Sequence, residues 1–403
     1  MKVELQSIAH FTSYLPKACG IATYSVALKK TIKDRLPDLK DFVIAIDDQK
    51  DAYRYSTSVK YNFHDRDIDG YKKAAEVINQ SDAQLVDVQH EFGLYGSKVN
   101  PTTLGQDDGK NFLEFMRALK KPAVTTLHMV YENPPENHRQ VVREICDRSY
   151  KVVVLAEVAK DFLVRDYGIS PEMVDVIPHG APNVPKYSTT FFKEMMGFSR
   201  DDFIISSFGL VRPKKGYEYL VEAMRDVVAK YPKAKLLIIG RAHPQRSPEY
   251  YQMLKDKVRE YKLTKNVKFI NKFVNYTDLL NYLMATNIFV APFLVMSQVS
   301  SGSLIYAMAA GRACIATPFD YAREALADRR GIIVPPEDSE ELSKAILHLI
   351  DHPVARHRMQ NLAYSYARKQ TWSKVAKQYI DLFNRVVNDK SISKAEIISS
   401  LSK

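Results

Sequence analysis

The stretch FIISSFGLVRPKKGYEYLVEAMRDVVAK, Phe203–Lys230, decides the fold class. Phe203–Phe208 is a mostly apolar run of strand length. A short loop ending at Gly216 follows it. From Tyr217 to Lys230 the apolar residues recur at helical spacing. A strand, a short loop and an amphipathic helix make up half of a crossover unit, and such units build parallel sheets.

The same alternation runs through most of the chain. Strand-like runs occur at Phe42–Ile46, Ala83–Val88, Ala123–Leu127, Lys151–Leu155, Lys235–Ile239, Val267–Ile270, Ile288–Ala291 and Ala313–Thr317. Helix-length stretches lie between them, among them Tyr71–Asn79, Phe112–Leu119, Val158–Tyr167, Tyr250–Tyr261 and Glu340–Asp351. Continuous Val, Ile and Leu in a strand implies burial on both faces. The expected class is α/β, and the order of elements restarts near residue 200. Pro182–Ser199 reads as an irregular boundary. It separates a first domain at about 1–185 from a second at about 195–370. The tail at about 372–403 is helical by period, with Val375, Tyr379, Phe383 and Val386 on one face. It is expected to pack back on the first domain.

Length and composition agree with two globular domains, since the chain has 403 residues and 46% of them are hydrophobic. No apolar run reaches the roughly 20 residues needed to span a bilayer. The first 13 residues lack a basic segment followed by a long apolar one, so no secretory signal is expected. Three scattered cysteines, Cys19, Cys146 and Cys314, suggest a reducing compartment, and a cytoplasmic location is expected. Residues 1–200 hold 27 basic and 27 acidic side chains, whereas 201–403 hold 31 and 20. The whole excess of +11 therefore lies in the second half. A basic half suits a nucleic acid, an anionic membrane or a phosphorylated small molecule. No basic helix with interleaved aromatics is present, so no nucleic-acid partner is expected. No clear amphipathic anchor speaks for a membrane, and the oligomeric state is left open.

In open parallel sheets ligands bind beyond the carboxyl ends of the strands. In Met296–Gly311, MSQVSSGSLIYAMAAG, Ser300, Ser301, Gly302 and Ser303 precede a helix expected to start near Ser303. Orphan N–H groups there can hold phosphate, or the serines can be ordinary caps. In Phe208–Gly216, Arg212, Lys214 and Lys215 can neutralise a departing phosphate, or can be surface cations before a helix. Two such loops after different strands favour the phosphate reading. Gly240 ends a strand and permits close backbone approach, and Arg241 and His243 follow it. Phe273 either flanks a flat base or is a core residue. In the first domain Gly20 stands before a helix. His90 and Glu91 follow one strand and His128 another. Each histidine is an acid–base or sugar-orienting candidate, although an isolated histidine is usually structural. Asp65-Arg66-Asp67-Ile68-Asp69 is reminiscent of a metal-binding acidic triplet, but Asp69 makes a natural helix cap there. No metal is expected.

Taken together, these pieces resemble the retaining glycosyltransferases of family 4. The resemblance covers nearly the whole chain: PKACGIATY (Pro16–Tyr24), the TLH strand end, VDVIPHG (Val174–Gly180), FGLVRPKKGYEYLVEAM, the GRA loop, AMAAGRACIAT (Ala307–Thr317) and TWSKVA (Thr371–Ala376). It implies a GT-B fold, two facing Rossmann-like domains with a deep interdomain cleft. The second domain would bind a nucleotide sugar, with mannose or glucose the expected sugars, and the first a carbohydrate or other hydroxyl acceptor. The nucleotide sugar is a substrate, and no cofactor is implied. By position, Lys215 would hold the diphosphate with the N–H groups of Ser300–Ser303. Asn271 to Phe273 would border the base. His128 would contact the donor sugar, and Gly20 would approach the phosphate. His128, Arg212, Lys215 and Gln298 are the catalytic candidates. Gly20, Gly240, Asn271, Phe273, Ser300, Ser301, Gly302, Ser303 and Tyr306 are the donor-side candidates, and His90 and Glu91 those of the acceptor side.

Two departures stand out. The family usually has two glutamates eight positions apart, one at the sugar and one at the ribose. Gln298 and Tyr306 occupy those positions here. The usual arginine position is Leu210, with Arg212 two residues later. A subgroup with similar SSG-type loops and the same IPHG linker suggests a variant site. The missing ribose carboxylate keeps open a glycoside phosphorylase working on a sugar 1-phosphate. A non-catalytic sugar-binding relative is the third reading.

Overall fold

The computed structural model describes residues 4–49, 52–95, 109–242 and 248–389. The chain divides into two compact units, Met1–Gly180 with Trp372–Lys403, and Ala181–Thr371.

The first unit is built on seven parallel strands: β1 (Ser7–Thr12), β2 (Lys40–Asp47), β3 (Val59–His64), β4 (Leu85–His90), β5 (Ala123–Leu127), β6 (Lys151–Val154) and β7 (Val174–Val176). Their order is β3-β2-β1-β4-β5-β6-β7. The second unit has six parallel strands: β8 (Phe203–Phe208), β9 (Ala234–Ile239), β10 (Val267–Ile270), β11 (Ile288–Ala291), β12 (Ala313–Ala316) and β13 (Ile332–Ile333). Their order is β10-β9-β8-β11-β12-β13. Each sheet reverses its winding beside its own first strand, between β1 and β4 and between β8 and β11. A crevice for a ligand opens at such reversals. Helices separate successive strands except β2 and β3, and the central strands are buried, as apolar parallel strands must be.

Helix Trp372–Asn388 belongs to the first unit. Its face Trp372, Val375, Tyr379, Leu382, Phe383 and Val386 is buried against Leu5, Ile8, Tyr24 and Leu28. Each such side chain contributes roughly 2 kcal/mol relative to exposure. The part of the expected tail helix beyond residue 389 lies outside the described residues. Gly180 makes this packing possible, because an added Cβ would sit 2.2 Å from the Trp372 ring.

The boundary differs from the expectation. The second unit begins at Ala181, and Pro182–Ser199 is not irregular throughout. Helix Thr189–Met195 lies inside it, and the N-cap Ser188 accepts from the Thr190 N–H at 3.3 Å. A seven-residue helix is too short to show periodicity. In the acidic triplet the cap is Asp67 rather than Asp69. Asp67 Oδ1 accepts from the Gly70 N–H at 3.1 Å, so the helix runs Ile68–Asn79 and Asp69 lies in its first turn. Among the described residues, no group of three or more His, Cys, Asp or Glu could hold a metal ion. None of the described helices is long and apolar enough to cross a membrane.

Candidate functional site

In the second unit the loops after β8 and β11 lie side by side at the winding reversal. The Leu294 N–H donates to the Lys214 carbonyl at 3.0 Å. Gly216, at φ 66°, sits so close that a Cβ would fall 1.9 Å from the Pro292 carbonyl oxygen. Only glycine fits there, and helix Tyr217–Lys230 starts directly after it. Arg212 and Lys214 are exposed, and Lys214 itself is left-handed at φ 68°. Lys215 is half-buried, with Nζ 3.6 Å from the centroid of the Phe293 ring. Burial, and then the neighbouring Arg212 charge, lower its pKa to about 7. It is a cation kept short of counter-charge, which is what a bound anion relieves.

The loop after β11 ends in helix Gly302–Ala309, capped by Ser301 rather than starting at Ser303. Ser301 is buried, and its Oγ accepts from the Leu304 N–H at 3.3 Å and lies 3.1 Å from Ser303 Oγ. Gln298 helps shape this loop. Its Nε2 donates to the Ser300 carbonyl at 2.8 Å. An ionised glutamate has no proton to give, so the usual residue could not make this bond. Tyr306 is buried on the same helix, edge-on to Tyr276 with the ring centroids 6.1 Å apart.

The other two candidate loops of this unit brace each other. Asn271 Oδ1 accepts from the Ala242 N–H at 2.8 Å. Gly240 does permit a close approach, but to the protein itself. Its φ is 147°, and a Cβ would lie 1.8 Å from the Gly209 carbonyl oxygen. Its glycine is accounted for by packing. Phe273 is not a core residue, being 43% exposed. His243 lies outside the described residues.

In the first unit, Gly20 is the first residue of helix Gly20–Arg35 and is exposed. A Cβ there would meet no atom within 4 Å, so packing does not demand glycine. Thr12, at the end of β1, is 2.7 Å from Ser25 Oγ on this helix. His128 follows β5, and its backbone N–H donates to the His90 carbonyl at 2.9 Å. Its Nε2 is 2.9 Å from Gln89 Oε1, and its ring meets Tyr24 edge-on at 4.8 Å. Burial lowers its pKa to about 3, with smaller contributions from His179 and His90, so the ring is neutral. The His179 ring packs on Tyr24 and Trp372 at 5.1 and 5.6 Å, and Nδ1 lies 2.8 Å from the Gly180 carbonyl.

His90 is not where an acceptor-side residue was expected. Its ring is fully buried between Tyr95, Phe92 and Phe112 at 5.3, 5.3 and 5.0 Å. Neither ring nitrogen has a hydrogen-bond partner among the described residues. Burial lowers its pKa to about 3, so it behaves as a flat core residue. Glu91, half-buried, precedes the short helix Phe92–Tyr95. Gly96, which closed the VQHEFGLYG motif, lies outside the described residues. No motif in the sequence singles out Asp87, Gln89 or His10. These side chains connect to His128 from inside the sheet, and the only trace in sequence is polar residues within otherwise apolar strands.

Residues 189–366 match the family model for glycosyl transferases group 1. The matched segment makes up most of the second unit, which is similar to that family. A GDP-mannose-dependent monoacylated α-(1-6)-phosphatidylinositol monomannoside mannosyltransferase of Corynebacterium glutamicum is 30% identical over 47% of this chain and 48% of its own. The chain spans about half of the length of the curated relatives it matches. Among solved structures, sucrose-phosphate synthase of Thermosynechococcus elongatus superposes with a TM-score of 0.73 at 18% identity, over 94% of this chain and 99% of that one. An Anabaena protein in complex with UDP-glucose gives 0.71 at 15% identity, over 93% and 99%. The fold is of the GT-B class, with two Rossmann-like domains.

Proposed function

We propose that the chain is a retaining glycosyltransferase moving a hexose, mannose or glucose, from a nucleotide sugar to a hydroxyl acceptor. The observation that carries this reading is the pairing of two anion-suited loops at one winding reversal. Lys215, with Arg212 beside it, lies on one. The Ser301-capped helix start, with Gln298 and Ser303, lies on the other. A diphosphate there would gain charge neutralisation from the cations and N–H contacts from the helix terminus. The C. glutamicum relative is GDP-mannose-dependent, and the Anabaena structure holds UDP-glucose, which supports a nucleotide sugar without choosing between the two.

In this reading Lys215 stabilises charge as it develops on the departing phosphate. The acceptor oxygen bonds to the anomeric carbon on the face the phosphate leaves. The bond from that carbon to the phosphate oxygen breaks, and the acceptor proton passes to that oxygen. No protein nucleophile is required, and catalysis is positioning and charge stabilisation. We propose further that transfer needs no metal and takes place in the cytoplasm. Transfer unchanged by a chelator supports the first point, and location of the tagged full chain in its own cells tests the second.

The second reading is a glycoside phosphorylase, favoured by Tyr306 where a ribose carboxylate is usual. A thermal-shift screen of UDP, GDP, ADP and sugar 1-phosphates separates the two. Ligand at a hundredfold excess over its Kd stabilises by about 2.7 kcal/mol, and a nucleotide should do so here. A response to a sugar 1-phosphate and to no nucleotide would replace the transferase reading with the phosphorylase.

A further inference from the structure

A line of polar side chains crosses the first sheet and ends on His128. Lys29 Nζ is 2.9 Å from Asp41 Oδ2, which is 3.8 Å from His10 Nε2. His10 lies directly across from Asp87 in the β1–β4 register, and its Nδ1 is 2.8 Å from Asp87 Oδ2. The other Asp87 oxygen, Oδ1, accepts from Gln89 Nε2 at 2.7 Å. Gln89 Oε1 is then 2.9 Å from His128 Nε2. Every side chain from His10 to His128 is buried.

The chemistry of each partner fixes the next. An ionised carboxylate only accepts, so Asp87 turns the NH2 end of the Gln89 amide toward itself. The amide oxygen is left facing His128. An amide oxygen also only accepts, so the proton between Gln89 and His128 belongs to the imidazole. A neutral imidazole with a proton on Nε2 carries its lone pair on Nδ1.

We infer that Asp87 and Gln89 are positioning residues that hold His128 as the Nε2–H tautomer, so that toward a sugar hydroxyl this ring accepts a hydrogen bond at Nδ1 and does not donate one. The role at a sugar rests on the function proposed above. The tautomer does not. Such an acceptor selects a donor sugar that presents a hydroxyl proton, and it disfavours an analogue with fluorine or a methoxy group at that position.

The test has two arms. In the first, ring 15N spectra of the ligand-free full chain are recorded at neutral pH, and the His128 signals are assigned by their loss in His128→Asn. Nε2 should show the protonated-type shift and Nδ1 the bare one. Gln89→Leu and Asp87→Asn should move His128 toward a mixture of tautomers. A wild-type His128 protonated at Nδ1 overturns the inference, even if both variants fail to fold. A tautomer unmoved in both folded variants overturns it as well. In the second arm, sugar transfer is measured. Gln89→Leu should lower kcat on the order of 10- to 100-fold, the scale of a misplaced contact group. Unchanged kcat in a folded Gln89→Leu overturns the positioning role. If the wild-type chain transfers no sugar, the proposed function fails while the first arm still decides the tautomer.

Discussion

At the carboxyl ends of the first sheet, the histidine and glycine candidates are uncharged. His128 is held neutral by burial and linked through Gln89 to Asp87, and Gly20 offers open backbone. At the same ends of the second sheet stand cations and a helix start. Lys215 is partly desolvated over Phe293, and Arg212 is exposed. Both sheets have the same strand order about their reversals, so fold alone does not cause the difference. It lies in which residues fill the loops after the strands. A neutral, oriented group suits hydroxyls, where direction decides. A cation short of counter-charge suits phosphate, where charge decides.

The largest effect that would sharpen this contrast is loss of the second-unit cation. Lys215→Ala should lower kcat/KM for transfer on the order of 100- to 1000-fold, the scale of removing one group that stabilises transition-state charge. Transfer kinetics with the purified variant decide it. Activity within threefold of wild type would remove Lys215 from the mechanism.

Two glycines make the same contrast in stability. Gly240→Ala forces a Cβ to 1.8 Å from the Gly209 carbonyl oxygen at a φ of 147°. A cost of about 3 kcal/mol is expected from strain and displacement. Gly20→Ala meets nothing within 4 Å, so stability should change by less than about 0.5 kcal/mol while sugar transfer falls. Denaturant titration of both variants gives the answer. Equal costs at the two positions would break the distinction between a glycine kept for packing and one left for a ligand.

The sequence made the α/β class legible because central parallel strands such as Phe203–Phe208 and Ile288–Ala291 are buried on both faces and read as apolar runs. β3 was harder to see. VKYNFH alternates half-buried and exposed residues, as an edge strand does. β1 was harder for another reason, since Ser7, His10 and Thr12 are polar yet buried. The loops of the candidate site could be read from cations and small residues next to strand ends. The exclusion of His90 could not, because it depends on the turn that brings Tyr95 back over the imidazole and on the Phe112 ring from the next long helix. Nor could the Gln298 bond to Ser300, which depends on the turn between them.

That turn gives the next prediction. Gln298→Glu restores the residue usual in the family but deletes the donor to the Ser300 carbonyl. It also places a carboxylate oxygen against a carbonyl oxygen. Losing a partly buried bond of this kind costs about 1–3 kcal/mol. The loop should open locally, giving faster amide exchange across 296–304. If exchange there is unchanged, the Gln298 amide does not hold the loop, and the departure from glutamate needs a different reason.

The smallest effect is a pH dependence confined to the second unit. The Lys215 ammonium is lowered to about 7, so above neutrality the unliganded side chain is mostly uncharged. A bound diphosphate favours the charged form and raises the pKa again, so binding takes up a proton. Affinity for a nucleoside diphosphate should therefore be flat below pH 7. Above it, affinity should weaken by up to tenfold per pH unit, about 1.4 kcal/mol. Lys215→Arg separates this cause from others, because a guanidinium stays charged across the range. Whatever its affinity, its pH profile should be level. Calorimetric titration between pH 6 and 9 gives both curves. Parallel slopes in the wild type and Lys215→Arg would assign the proton to another group and leave Lys215 a permanent cation, with the contrast between the two sheets resting on position alone.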